Sequence, residues 1–201
     1  MIIPLYLKAI FTVAAIVISL IAYIPYIIDM FKGKCRPHNY TWITIFLVTI
    51  SVAYTQVIGG AGPAAIPTIV GCFINGFILL LSLTKYGTND VVLIDKICLA
   101  VSVLGVLSFL VFRGQPILSL AIVSIAEVSS FIPTFRKTKN DPYSESLPSY
   151  YLLIVKLSLI LLANKEYNLL TVSYPVMWGL VFILYLSLTY HWRRGFQKEL
   201  N

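Results

Sequence analysis

Long apolar stretches separated by short polar links run through the whole chain. Seven stretches predict helices that cross a membrane, because a helix needs about 20 mainly apolar residues to span the hydrocarbon core. They cover residues 5–28, 40–58, 64–84, 93–112, 116–136, 148–164 and 171–192. Glycines, prolines and charged residues fill the links, which are too short to hold a soluble domain. The pattern predicts an all-α integral membrane protein.

The composition leads to the same class. Of the 201 residues, 59% are hydrophobic and 11% are charged. A soluble domain has about 45–50% apolar and about 25% charged residues, so this chain has too few charges to cover a water-facing surface. The net charge of +7 does not indicate a nucleic-acid partner, because the basic residues lie in links between apolar stretches. The predicted partner of its surface is the lipid bilayer.

The positions of lysine and arginine predict the orientation. Eleven of them follow helices 1, 3, 5 and 7, three lie on the opposite side, and Lys156 lies within a helix. Because cytoplasmic links carry the excess of basic residues, we expect the N-terminus outside and the C-terminus in the cytoplasm. The short loops favour the cytoplasmic membrane of a bacterium or archaeon.

An internal repeat appears when the sequence is shifted by 108 residues. A polar–aromatic pair then opens the second helix of each copy, and a third helix carries a proline near its outer end. An odd linker helix lets two three-helix units point the same way, as in transporters with parallel repeats. The predicted units are residues 1–86, linker helix 4 in 87–113, residues 114–194 and a cytoplasmic tail of 195–201. The superposed residues are Ile24-Pro25 on Ile132-Pro133, Pro67 on Pro175, and Gly71 on Gly179.

With these features the chain resembles the PQ-loop superfamily, which includes the SWEET sugar transporters, cystinosin-like amino-acid exporters and the KDEL receptor. The resemblance rests on the segments 24–42 and 132–146, each of which begins with Ile-Pro and continues through a basic stretch. Tyr26 and Thr134 stand where the family has glutamine, as in a divergent prokaryotic member. The resemblance implies seven helices in a three-one-three order and transport of a small solute by alternating access.

Two charged residues fall near the middle of predicted helices. Glu127 lies in helix 5 and Lys156 in helix 6. A charge at mid-bilayer costs about 2.5–3.5 kcal/mol on insertion scales, so both should face the interior or each other. They are candidates for a structural ion pair, for direct contact with the substrate, or, in the case of Glu127, for proton coupling.

Polar and aromatic residues at similar depth are further candidates for substrate binding. The resemblance implies a pocket asparagine on the third helix of each repeat; Asn75 fits that place, whereas Ile183 occupies it in the second copy. The alternative for Asn75 is a hydrogen bond between helices. Trp178 in helix 7 is expected either to face Asn75, because aromatic faces line small-molecule pockets, or to pack against lipid or in the core. Tyr54 and Gln56, late in helix 2, are predicted either to line the outer mouth or to lie in the membrane interface.

Prolines and charges near the helix ends are candidates for moving parts. Pro25, Pro133, Pro67 and Pro175 should each remove a helix hydrogen bond and kink the helix, either as a hinge or as a static bend. Asp29 and Arg136, near the predicted cytoplasmic ends, are expected to form an inner gate of salt bridges if they are buried in one state.

The function expected from the sequence is therefore transport of a small solute. A sugar is the first expectation, and an amino acid or small carboxylate on the same fold is the alternative, as is a membrane receptor or assembly protein without transport. We expect no enzyme activity, because no catalytic cluster converges on the helix midpoints, and no cofactor or metal. Protons are a possible second partner, and the chain is compatible with a monomer or a homo-oligomer.

Overall fold

The computed structural model describes residues 3–33, 36–37, 39–88, 93–112, 115–140, 142 and 147–200. In these ranges the chain folds into seven α-helices and a short 3-10 helix, Gly62–Ala65, which leads directly into α3. Each α-helix begins within two residues of the start that the apolar pattern predicts. The α-helices are α1 (Leu5–Phe31), α2 (Asn39–Ile58), α3 (Ile66–Ser82), α4 (Leu93–Val111), α5 (Pro116–Asn140), α6 (Leu147–Ala163) and α7 (Leu169–Leu200).

Four segments of the described chain are long and apolar enough to cross a membrane. They are Leu5–Phe31, Asn39–Ile58, Gly62–Ser82 and Leu169–Gly195. The apolar parts of the other three helices are shorter, and they cover Leu99–Phe109, Pro116–Ile125 and Tyr150–Ala163. The fold is thus compatible with a multi-pass membrane protein.

The outside of the helix bundle is more apolar than the surface of a soluble protein. Large apolar side chains are exposed, among them Phe73, which is 76% exposed, and Leu80, which is 66% exposed. Polar side chains such as Gln56 and Asn75 are buried inside, together with apolar ones. An apolar exterior of this kind suits a surface that meets lipid.

The helices pack in two sets. In the first set α3 contacts both α1 and α2, and in the second α7 contacts both α5 and α6. The two sets meet mainly where α1 runs along α6, and α4 packs against α2 and α5. The third helix of each set thus contacts both of its companions.

The two sets are joined at one end of the molecule, which we call the closed end. It is the end where α1 begins, α2 and α6 finish, and the 3-10 helix lies. An apolar cluster there combines Ala15 of α1, Ala64 of the 3-10 helix and Ile160 of α6. Toward the opposite end, the clusters among the described residues each belong to one set. One is built around Met30, Trp42 and Ile78, and the other around Leu157, Trp178 and Phe182.

Hydrogen bonds reinforce the closed end across the two sets. The Lys165 backbone N–H donates to the Ala61 carbonyl at 2.9 Å, and the Asn168 side-chain amide donates to the Gly59 carbonyl at 2.6 Å. The buried Lys8 ammonium of α1 donates to the Asn164 carbonyl at 2.6 Å. The first two bonds tie the turn between α2 and α3 to the turn between α6 and α7, and the third ties α1 to the turn between α6 and α7.

Glycine makes this contact between the two turns close. An added Cβ on Gly59 would lie 2.8 Å from the Leu170 Cβ and 2.9 Å from the Thr55 carbonyl oxygen, so a larger residue has no room there. Gly60 has φ +78°, a left-handed conformation that glycine adopts without strain. The closed end therefore depends on small residues in the α2–α3 turn.

Candidate functional site

A cavity of about 240 Å³ lies between the two helix sets. Both sets contribute to its wall, which contains residues of α1, α2, α3, α5, α6 and α7. Its apolar part includes Leu153, Leu157 and Phe182. Its polar part comprises Tyr23, Thr49, Gln56, Thr68, Asn75, Glu127 and Lys156.

Two side chains of α7 hold the Glu127 carboxylate of α5. The Tyr174 hydroxyl donates to one carboxylate oxygen at 3.0 Å, and the Trp178 indole N–H donates to the other at 2.9 Å. Residues four apart lie on the same face of a helix, so Tyr174 and Trp178 reach the carboxylate together. Neutral donors at both oxygens suit an ionised carboxylate, which acts only as an acceptor.

Lys156 of α6 also lines the cavity, but it does not pair with Glu127. Within the described part of the chain, no hydrogen bond or ion pair connects the Lys156 ammonium group to another residue. The expectation that the two charges face the interior therefore agrees with the structure, and the expectation of an ion pair between them does not. The carboxylate oxygens of Glu127 instead accept hydrogen bonds from Tyr174 and Trp178 of α7.

Asn75 and Gln56 present buried oxygen atoms that have no donor. The Asn75 amide N–H donates to the Thr49 hydroxyl at 2.9 Å, and the Thr49 hydroxyl itself donates to the Ile45 carbonyl at 2.6 Å. Because Thr49 uses its hydrogen on Ile45, it can only accept from Asn75, which fixes the orientation of the amide. The Asn75 Oδ1 is buried without a hydrogen-bond partner, as is the Gln56 Oε1.

Trp178 lies in the cavity wall within a group of aromatic rings. Its ring centroid is 5.0 Å from that of Phe182 and 5.6 Å from that of Phe131. Its N–H is directed to Glu127, so the residue positions the carboxylate as well as forming part of the wall. Sequence reasoning missed Tyr174, although its spacing of four residues from Trp178 on a helix was the available signal.

Tyr54 lies apart from the cavity, although Gln56 lines it. Residues two apart on a helix point to nearly opposite sides, so both cannot face the same space. Tyr54 is 52% exposed and its ring packs edge-on against Phe109 of α4, with 5.6 Å between centroids. The structure therefore places Tyr54 on the surface between α2 and α4.

The prolines expected to act as hinges differ in their positions. Pro175 lies inside α7 and in the cavity wall. Pro67 is in the first turn of α3, directly after the 3-10 helix, which is a position that proline tolerates. Asp29 lies near the end of α1. The side chains of Pro25, Pro133 and Arg136 lie outside the described part of the structure, and so does the predicted gate between Asp29 and Arg136.

The site contains no recognisable set of metal ligands. Among the described residues, no group of three or more His, Cys, Asp or Glu side chains is placed to hold a metal ion. Comparison with known proteins adds no assignment: no protein-family model matches the chain, and neither does any curated protein or solved structure. The functional argument therefore rests on the cavity.

Proposed function

We propose that the chain is a small-solute transporter that works by alternating access. The two helix sets would act as equivalent three-helix bundles, joined by α4 in a three-one-three order like that of the PQ-loop and SWEET-like proteins. The matching roles of α3 and α7 in their sets support this interpretation. In such a transporter, two similar bundles move against each other around a site between them.

The observation that carries the proposal is a polar cavity between two bundles that are joined at one end. Buried polar groups are expensive within an apolar helix bundle, and they indicate a pathway for a polar solute. The cross-bundle hydrogen bonds of the closed end, with Lys8 to Asn164 among them, support a state in which access from that side is blocked. Opening would require these bonds to break.

The orientation and the membrane are part of the same proposal. With the N-terminus outside and the chain in the cytoplasmic membrane, the closed end would be the outer end, and the solute would reach the cavity from the cytoplasm. Proton linkage through Glu127 stays a prediction. A sugar is the first candidate solute, and an amino acid or small carboxylate is the alternative.

Uptake into proteoliposomes tests the proposal. The purified protein is reconstituted and supplied with a mixture of sugars, amino acids and small organic acids, and mass spectrometry identifies what enters. We expect one solute class to accumulate above the level in protein-free liposomes. Protein that is folded and inserted but moves no solute would contradict transport. Binding of a peptide or protein partner to that preparation would support the receptor alternative.

A further inference from the structure

We infer that Asn164 is a positioning residue that couples the closed end to the cavity. Its side chain bridges the gap that Pro175 makes in the backbone hydrogen bonds of α7, and its backbone carbonyl binds Lys8 of α1. It would thereby transmit the state of the closed end to the part of α7 that holds Glu127. The inference rests on the proposed function in one respect, since the coupling serves transport only if the closed end opens.

The first step concerns the backbone of α7 at Pro175. In an α-helix each N–H donates to the carbonyl four residues earlier, so position 175 would bond to the Thr171 carbonyl. Proline has no N–H, so the Thr171 carbonyl lacks that donor. The gap separates a short first segment of α7, residues 169–174, from the rest of the helix. Sharp bends of helices occur at interruptions of this kind.

The second step concerns the group that takes the place of the missing N–H. The Asn164 side-chain amide donates to the Thr171 carbonyl in a long hydrogen bond of 3.5 Å, and both residues are fully buried. A buried carbonyl is costly without a donor, so the contact stabilises the first segment of α7 in its present position. The Asn164 Oδ1 has no hydrogen-bond partner, so the N–H group alone holds the amide there.

The third step concerns Lys8, which reaches Asn164 from the other helix set. Its ammonium group donates to the Asn164 backbone carbonyl at 2.6 Å, and the residue is buried. A hydrogen bond from a charged donor is about twice as strong as one between neutral groups. Separation of the two sets at the closed end would withdraw Lys8, and Asn164 would lose the contact that holds it from α1.

The fourth step concerns the residues on the two sides of Pro175. Tyr174 is the last residue before the gap and Trp178 lies after it, and they donate to different oxygens of Glu127. Bending at Pro175 would move one donor relative to the other and change how the carboxylate is held. Pro175 lies in the cavity wall, whereas Asn164 is not part of the lining and acts on the cavity through α7.

A double-mutant cycle on the purified full-length protein in detergent tests the bridge. Asn164→Leu removes the amide and keeps the size of the side chain. Pro175→Ala gives position 175 an N–H that can donate to the Thr171 carbonyl in place of Asn164. We expect Asn164→Leu to lower the unfolding temperature of the unaltered protein by about 2–4 °C, as for the loss of one hydrogen bond in a chain of this size. In the Pro175→Ala background the same substitution should lower it by about half as much or less.

Tyr167→Phe is the matched control for the cycle. It removes the hydrogen bond of 2.9 Å from the Tyr167 hydroxyl to the Leu161 carbonyl, which does not involve α7, and its effect should be equal in both backgrounds. Equal effects of Asn164→Leu in the two backgrounds would overturn the bridge. Folding of Asn164→Leu only in the Pro175→Ala background would support it, and Asn164→Ala replaces a variant that folds in neither.

Fluorine NMR reads the connection from Lys8 to the cavity without a solute. The protein carries 5-fluorotryptophan, and the resonance of Trp178 is identified by its absence from Trp178→Phe. We expect Lys8→Met to shift this resonance in the unaltered protein and to leave it in place in Asn164→Leu. Lys165→Met is the matched control, because Lys165 is exposed at the same end, and it should cause no shift. No shift by Lys8→Met, or an equal shift with and without the Asn164 amide, would overturn the coupling.

Uptake into proteoliposomes separates this inference from the proposed function. With the mixture of sugars, amino acids and small organic acids, we expect Asn164→Leu to lower the initial uptake rate by about fivefold or more, the lower end of typical coupling between two sites. Equal uptake by Asn164→Leu and the unaltered protein would overturn the role of Asn164 and leave transport intact. A bridge and a Trp178 shift in protein that moves no solute would uphold the coupling and overturn transport.

Discussion

The Trp178 indole N–H donates a hydrogen bond of 2.9 Å to the Glu127 carboxylate and so connects α7 to α5 in the wall of the cavity. Tyr174 completes the arrangement at the second carboxylate oxygen, at 3.0 Å. A charged side chain is thereby held in an apolar bundle by two neutral donors of one helix face. The same donors determine which way the carboxylate points.

Removing either donor should destabilise this contact between α5 and α7. Trp178→Phe and Tyr174→Phe each delete one hydrogen bond while keeping an aromatic ring. We expect each to lower the free energy of unfolding by about 0.6 kcal/mol, the average measured for hydrogen bonds between membrane helices, and by at most about 1.7 kcal/mol. Thermal unfolding in detergent gives the measurement. Unchanged unfolding in both variants would mean that the two bonds do not hold Glu127.

Gln56 and Tyr54 offer a test of the position of the site, because they are neighbours on α2 with opposite surroundings. Gln56→Leu removes a buried oxygen from the cavity wall, whereas Tyr54→Leu changes an exposed ring that packs on Phe109. We expect Gln56→Leu to weaken binding of the transported solute and Tyr54→Leu to leave it unchanged. If Tyr54→Leu weakens binding and Gln56→Leu does not, the solute site lies on the exposed side of α2 instead of in the cavity.

These two residues also show how far sequence can predict the site. The seven helices and the residues at which they begin can be predicted from the length of the apolar stretches, because a helix that spans the bilayer needs about 20 mainly apolar residues. The grouping of Asn75, Glu127, Lys156 and Trp178 also follows, since a polar group in an apolar helix avoids lipid. Hydropathy does not determine how a helix is rotated about its axis. The sequence therefore could not show that Gln56 lines the cavity and Tyr54 does not. The partners of Glu127 depend on how α5 meets α7, which no local pattern specifies.

Proton linkage through Glu127 predicts that a proton gradient drives uptake. A carboxylate in the cavity wall that takes up and releases a proton can couple the movement of the proton to that of the solute. The other titratable groups described in the cavity wall are Lys156, Tyr23 and Tyr174. We expect an inward proton gradient to raise uptake by the unaltered protein in proteoliposomes and to have no effect on uptake by Glu127→Gln. A Glu127→Gln variant with the original response to the gradient would exclude Glu127 as the proton site.

Gly59→Ala should disturb the closed end. The added methyl group would lie 2.8 Å from the Leu170 Cβ, closer than packed carbon atoms allow. Overpacking of this kind costs about 1–3 kcal/mol, which thermal unfolding detects. Gly179→Ala is the matched control, because an added Cβ there meets no atom within 4 Å. Equal stability of the two variants would show that the turns do not pack tightly.

A disulfide across the closed end should stop transport and spare binding. The Cβ built on Gly60 lies 3.5 Å from the Glu166 Cβ, a separation that a disulfide can bridge. Gly60→Cys with Glu166→Cys is made in a background in which Cys35, Cys72 and Cys98 are replaced by alanine. We expect oxidation to abolish uptake and reduction to restore it. The Kd of the transported solute, measured by calorimetry on the protein in nanodiscs, should stay the same.

The single-cysteine variants control for strain at Gly60, where φ is positive and a side chain is unfavourable. They should transport equally well under oxidising and reducing conditions. Full uptake by the oxidised double variant, with the disulfide shown by mass spectrometry, would contradict opening at this end.

The hydrogen bond from Lys8 to the Asn164 carbonyl joins residues 156 positions apart, so during synthesis it can form only after α6 has been made. The partners of Glu127 come later in the chain still, since Tyr174 and Trp178 lie on α7. The polar contacts of the interior are therefore complete only when α7 has packed against α5.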